Sequence, residues 1–431
     1  MENMMKNIPG ANDRMHDEWV LPNGLRIVGE RLPYLRSVSI GAWMHVGSMM
    51  EEKAESGLSH FLEHMVFKGT AKRSARQIAE EMDAVGGQLN AFTGRDCTCF
   101  YAKVIDENLE LAVDILADLV INATMDETEL EKERGVILEE IAMDEDSPED
   151  LVHDLLQSAQ FGEQSPGQPI LGPAEQIENY TRDDLLAFRK KHYAPKETVI
   201  ALAGSYDPDK VLQWVTAYFG AWENEIPPVK TPDWQVMTGV TALREKDSEQ
   251  MHICMGFPGA AYATDRVYPL AVANNILGGA MSSRLFQRVR EDLGLAYSVY
   301  SYPNTYKGVG TFGLYAGVSP KNAELVLKEI RAELKKFLDE GITEKEFRDS
   351  VTQLRAGYLM GLESPGARMQ GLGRSTLLRG KPLPHEATLA AIEAVTMDKV
   401  MEVAREVLSQ EPCIALVGKG AEDVDTSSVF A

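Results

Sequence analysis

Met125-Asp126-Glu127-Thr128-Glu129-Leu130 opens a long helical pattern that follows another helix, and Gly341-Ile342-Thr343-Glu344-Lys345-Glu346-Phe347 opens a second one in the same setting. In each, Asp126 or Thr343 stands just ahead of the first turn, where its side-chain oxygen can accept an unpaired helical N–H. The elements around these two starts follow one order. Upstream of the first lie strand patterns at 19–22, 25–32 and 37–48, helical patterns at 57–67 and 74–85, a strand pattern at 88–104 and a helix at 107–122. Upstream of the second lie a strand at 251–257, helices at 264–277 and 282–293, strands within 297–317 and a helix at 320–338. Val38, Ile40, Ala42 and Met44 alternate with Ser39, Gly41 and Trp43, the period of two of a sheet with unlike faces. These patterns predict an α+β fold of two tandem homologous domains, each a mainly antiparallel sheet with helices packed on one face. Two unrelated α+β domains of similar element order are the alternative.

Pro227, Pro228 and Pro232 interrupt the pattern, because proline supports neither a ladder nor a helix interior. Residues 222–247 therefore read as a linker between a first domain, 1–221, and a second, 248–431. A chain of 431 residues is long enough to bury such cores without disulfide or metal staples. Cys97, Cys99, Cys254 and Cys413 show no disulfide-framework spacing. Cys97 and Cys99, on one strand face, fit buried thiols better than half of a zinc site.

The 43 Lys and Arg residues against 66 Asp and Glu leave a formal charge of −23 at pH 7. Nucleic acid and anionic membrane surfaces repel such a chain, whereas basic peptides are attracted to any acid-lined cleft. No signal-peptide run is read at the N-terminus, and no stretch reaches the roughly 18 apolar residues of a membrane span. A cytoplasmic location is expected, with no nucleic-acid or membrane partner.

One turn carries chemistry: His60-Phe61-Leu62-Glu63-His64. At about 100° per residue the two histidines stand roughly 40° apart on one helix face, with Glu63 beside them. Two imidazoles can bind zinc there, and a carboxylate next to the ion can take a proton from water attacking a carbonyl. This is the H-x-x-E-H order of the inverse zinc proteases; the bland alternative is an exposed helix turn. A third ligand would decide. Glu133 and Glu140 lie one heptad apart on a helix that Val136, Ile137 and Leu138 make at least half-buried, and Glu140 would complete a His₂Glu site with one open position.

Here the chain resembles the pitrilysin-type metallopeptidases, which include insulin-degrading enzyme and mitochondrial processing peptidase, and within them the short-chain bacterial members. The matching residues are Leu21-Pro22-Asn23-Gly24, Gly57-Leu58-Ser59-His60-Phe61-Leu62-Glu63-His64-Met65, Phe67-Lys68-Gly69-Thr70, Asn90-Ala91-Phe92-Thr93 and Glu133 to Glu140. The resemblance implies one zinc per chain on His60, His64 and Glu140, Glu63 as general base, and Glu133 as a carboxylate supporting the site. It also implies that Asn90, Ala91 and Phe92 offer an open strand edge to substrate, and that Arg290 and Tyr297, seven positions apart, contact the substrate backbone or the developing oxyanion. Read without it, Arg290 is a surface ion-pair partner of Glu291 or Asp292 and Tyr297 a packed strand residue.

In the second half, Ser350-Val351-Thr352-Gln353-Leu354-Arg355-Ala356-Gly357 stands where the first has Glu133 to Glu140, and no H-x-x-E-H is present. His16, His45, His153, His192, His252 and His385 lack metal spacing and read as structural or solvated. Family members build a closed chamber from two clam-shell halves, and this length supplies one half. The resemblance therefore implies a homodimeric zinc endopeptidase acting on unfolded peptides or presequence-like extensions. The alternative is a non-catalytic structural or chaperone subunit of a processing peptidase-like complex, although such members lose part of the motif.

Overall fold

A computed structural model describes residues 16–427. The N-terminal stretch 1–15, in which no signal-peptide run is read, lies outside the described residues. Strands β1 (His16–Val20), β2 (Arg26–Arg31), β3 (Ser37–Met44), β4 (Gln88–Thr93), β5 (Thr98–Ile105) and β6 (Thr198–Gly204) form one sheet in the order β1-β2-β6-β3-β5-β4. Only β2 and β6 run parallel; the other pairs are antiparallel. A second sheet contains β7 (Thr241–Glu245), β8 (Met251–Pro258), β9 (Ala296–Thr305), β10 (Gly310–Val318) and β11 (Cys413–Gly418) in the order β7-β11-β8-β10-β9. Its one parallel pair is β7 with β11. Without β1, the first sheet has the order and directions of the second, so the repeated element order is a repeated α+β domain.

The two helix starts behave alike. Asp126 Oδ1 accepts the N–H groups of Thr128 and Glu129 at 2.9 and 3.1 Å, opening the helix Glu127–Asp146. Thr343 Oγ1 accepts Glu346 N–H at 3.2 Å, and the Glu346 carboxylate accepts Thr343 N–H at 2.8 Å, opening Glu344–Gly361. This reciprocal pairing satisfies two N–H groups that the helix itself leaves unpaired.

The compact units are not contiguous stretches. One comprises the chain up to Glu139, Pro169–Lys230 and Leu359–Pro384; the other comprises Glu140–Gln168, Thr231–Tyr358 and the chain from His385. The physical cause is a pair of helices. Helix Pro365–Arg379, late in the sequence, packs on β2, β3 and β6, while Pro148–Phe161, early in it, packs on β8 and β11. Each sheet is thus covered by a helix from the other half of the sequence, which a reading along the chain does not anticipate.

That cover also changes the expected one-sided sheet. Val38 to Met44 are all buried, so β3 is enclosed on both faces. The Ser39-Gly41-Trp43 side meets the late helix: Trp43 Nε1 donates to Met369 Sδ at 3.4 Å, and Arg368 pairs with Glu30 on β2. A side chain at Gly373 would place its Cβ 2.2 Å from Trp43 Nε1. Other differences are local. The 88–104 pattern is a hairpin, turned where Gly94 N–H meets Cys97 O at 2.8 Å. Cys97 therefore precedes β5 instead of sharing a strand with Cys99, and all four cysteines are buried free thiols. Within 222–247, Thr241–Glu245 pairs with β11 as a strand, and part of 282–293 is π-helical, Phe286–Asp292.

Because close-packed interiors do not absorb an added methyl next to a fixed indole, Gly373→Ala should lower stability by about 1–3 kcal/mol. Urea unfolding against the parent chain measures this, and an unchanged midpoint would show that the helix has room to shift.

Candidate metal centre

Helix α1 (Leu58–Val66) buries Leu58, Phe61, Leu62 and Met65, the i, i+3, i+4, i+7 stripe of a helix lying on a core. The same periodicity turns His60, Glu63 and His64 to its half-buried side. The two imidazole rings stand edge to face, with centroids 4.6 Å apart. Burial first, and then the neighbouring His64, push His60 down to about 4, so its ring is neutral at pH 7, the form that binds metal.

The third expected ligand comes from the helix Glu127–Asp146, which buries only Leu130, Glu133 and Ile137. Val136, expected among the half-buried residues, is 44% exposed, because the helix touches the core along one narrow stripe. The boundary between the compact units falls after Glu139, inside this unbroken helix, so Glu133 and Glu140 stand on one element. One ligand atom from each of His60, His64 and Glu140 lies within 4.8 Å of the others, the one such group of three among the described residues. Two imidazole nitrogens and one carboxylate oxygen are the donor set of a catalytic zinc with one position left for substrate or water. The residues fit the ion.

Glu133 lies behind this group. Its Oε2 is 3.1 Å from His64 Nδ1, and Lys68 Nζ lies 2.5 Å from its Oε1. A histidine that donates Nδ1–H to a carboxylate presents Nε2 as its metal-binding atom, with the ring held in one orientation. Lys68 offsets the charge of this buried carboxylate. Glu63 has a different neighbour: Thr93 Oγ1 donates to its Oε2 at 2.5 Å. Thr93 ends β4, the terminal strand of its sheet, which also carries Asn90, Ala91 and Phe92. Asn90 is exposed, and Phe92 packs edge-on against Trp43 with centroids 5.6 Å apart.

Arg290 and Tyr297 lie together in the other unit. The guanidinium sits 5.0 Å from the Tyr297 ring centroid and 4.7 Å from that of Phe286, and its Nε is 3.7 Å from Glu291 Oε1. Tyr297 is 75% exposed on the terminal strand β9, so it is not a packed strand residue. Several of the remaining histidines have local polar partners: His45 has Glu197, His153 has Tyr300 and Tyr302, His252 has Tyr315 and His385 has Tyr358.

Sequence reasoning assigned no role to Lys68 and passed over Glu51. The Glu51 carboxylate is buried and accepts Gly57 N–H at 2.9 Å and Ser59 N–H at 2.7 Å, at the start of α1. Its signal was faint: an acidic residue shortly before a helix whose cap position is glycine.

Residues 26–174 match the family described as Insulinase (Peptidase family M16), and residues 179–354 match the description Peptidase M16 inactive domain. An uncharacterized zinc protease of Streptomyces coelicolor is 44% identical over 405 residues, covering 92% of this chain and 88% of that one. The chain belongs to peptidase family M16. YmxG, an uncharacterized zinc protease of Bacillus subtilis, is 41% identical over 405 residues, with 94% of this chain and 98% of the relative covered. Two solved structures share the fold: a protease from Helicobacter pylori, with a TM-score of 0.88 at 24% identity, and a peptidase M16 inactive domain from Pseudomonas fluorescens, with 0.87 at 21%. They cover 94% of this chain and 99% and 98% of their own. In this M16 chain the H-x-x-E-H turn and Glu140 both fall within 26–174, outside the part matching the inactive domain.

Glu140→Gln removes the anionic donor and should weaken zinc retention, whereas the wild type should keep about one zinc per chain. Metal analysis after dialysis tests this, and unchanged occupancy would remove Glu140 from the ligand set.

Proposed function

We propose that the chain is a zinc-dependent endopeptidase that hydrolyses unfolded peptides or presequence-like extensions. The observation that carries this reading is the convergence of His60, His64 and Glu140 with Glu63 one residue away on the same helix face. Zinc held by these three would supply Lewis acidity for the attack of water on a peptide carbonyl. Glu63 takes a proton from the attacking water and passes it to the leaving amine as the C–N bond breaks and the new C–O bond forms. Glu133 and Lys68 act on the reaction only through the orientation of His64.

Substrate is proposed to add along β4 as a further strand, in contact with Asn90, Ala91 and Phe92. Two observations support this: among the described residues β4 has a neighbour on one side only, and the Thr93 hydroxyl at its end is bonded to Glu63. Strand addition reads backbone before side chains, which suits unfolded chains of varied sequence. Family resemblance alone supports the rest, namely a closed chamber shared by two chains of a homodimer and contact of Arg290 and Tyr297 with substrate or the developing oxyanion. If excess acid lines that chamber, basic peptides are preferred.

A non-catalytic, structural or chaperone role is the second reading, with which the match of 179–354 to an inactive domain is compatible. A peptidase assay on a mixed peptide library, with and without chelator, separates the two. Cleavage should be chelator-sensitive, and Glu63→Gln should retain zinc while losing at least a hundredfold in turnover; an active Glu63→Gln enzyme would sink the mechanism. Cleavage of Arg-containing peptides should fall with added salt relative to Arg-free ones. Equal rates and no salt dependence would reduce the acidity to a solubility feature.

A further inference from the structure

Helix α1 begins without the side-chain cap that most helices use. Its N-cap is Gly57, with φ of 93°, and a Cβ there would lie 2.7 Å from Leu171 O and 2.9 Å from Gly172 Cα. Serine, threonine or aspartate at this position would meet both the strained backbone and the neighbouring loop, so an oxygen for the first N–H groups must come from elsewhere. Glu51 supplies it from six residues upstream, with one carboxylate oxygen on Gly57 N–H and the other on Ser59 N–H. The intervening turn is pinned as well: Tyr180 Oη lies 3.1 Å from Ala54 O and 3.0 Å from Ser56 O.

We propose that Glu51 is a positioning residue for the metal-binding helix, whose carboxylate sets where α1 begins and therefore where His60, Glu63 and His64 stand. This rests on the reading of those three residues given above. Ser59 immediately precedes His60, so a shift of the first turn passes undamped to the first ligand, and an error of about 1 Å at a reacting group costs about a hundredfold in rate. A carboxylate also suits the positive end of a helix dipole. The position carries a cost: burial pushes Glu51 up to about 7 despite its two N–H donors. Holding a charge there is unfavourable on burial grounds alone, and the N–H groups of Gly57 and Ser59 offset part of that cost.

The test is Glu51→Gln, which keeps the shape but places an N–H₂ group against one of the two N–H donors. Four quantities are read: zinc affinity by chelator competition, kcat and KM per zinc-loaded folded chain, and hydrogen exchange of the segment spanning residues 57–61 in metal-free protein. The expected result is zinc binding at least tenfold weaker, kcat at least tenfold lower with KM within about twofold, and faster exchange confined to the first turn of α1. A loss that merely follows the folded fraction, or zinc affinity and kcat within twofold of wild type, overturns the proposal. If Glu51→Gln does not fold, Glu51→Asp, which draws the carboxylate back by one methylene, is held to the same readings. Should wild type prove to have no chelator-sensitive peptidase activity, the peptidase reading fails, while exchange in metal-free protein still decides the role of Glu51.

Discussion

The strands at the centre of each sheet are buried on both faces, and the rest of the structure follows from that constraint. Every residue of β6 and of β11 is buried, and nearly every one of β3 and β8. Such strands need a helix layer on each side, because an uncovered apolar face would stay in water. The exchanged helices supply one of these layers, and both dock over glycine. Gly41 on β3 leaves room for Met369, and Gly256 on β8, the corresponding strand of the second sheet, leaves room for Leu156 and Gln160. Repetition of the device in both sheets shows that the duplicated domains share a docking rule as well as an element order.

Helix α1 packs against β4 of the first sheet and the helix Arg182–His192. Its apolar stripe is buried, and its polar side faces the helix Glu127–Asp146 and the end of β4. Three carboxylates of similar intrinsic chemistry gather here and are distinguished by their neighbours. Glu140 joins two imidazoles, Glu133 stands between His64 and Lys68, and Glu63 faces the neutral hydroxyl of Thr93. For the proposed roles of metal-binding oxygen, orienting anion and proton acceptor one residue type thus suffices, because the neighbours of the three carboxylates differ.

Much of this was legible along the chain because it is written at short range. The H-x-x-E-H spacing, the alternation in β3 and the caps at Asp126 and Thr343 depend on residues within a turn or a few strand positions of each other. The π-helical turn at Phe286–Asp292 was not legible, since it differs from an α-helix by one hydrogen-bond register and leaves the apolar spacing almost unchanged. The 88–104 hairpin was missed because its turn signals, Gly94 and Asp96, are brief and both arms read as strand. Thr241–Glu245 hid in a proline-rich stretch, and it is a strand because β11 offers it a parallel edge.

The sequence by itself determined that there are two α+β repeats, that one of them carries a helix with the H-x-x-E-H spacing, and which carboxylates lie one heptad apart on a second helix. The tertiary structure alone decided that each sheet is covered by a helix from the other half of the chain, that Glu133 is balanced by Lys68, and that α1 is capped by Glu51. The division has a physical cause. Helix and strand periodicity come from backbone geometry and leave a regular trace in the chain, whereas a cap borrowed from outside the helix, a counter-charge or a covering helix depends on where folding brings distant residues, and leaves no period to read.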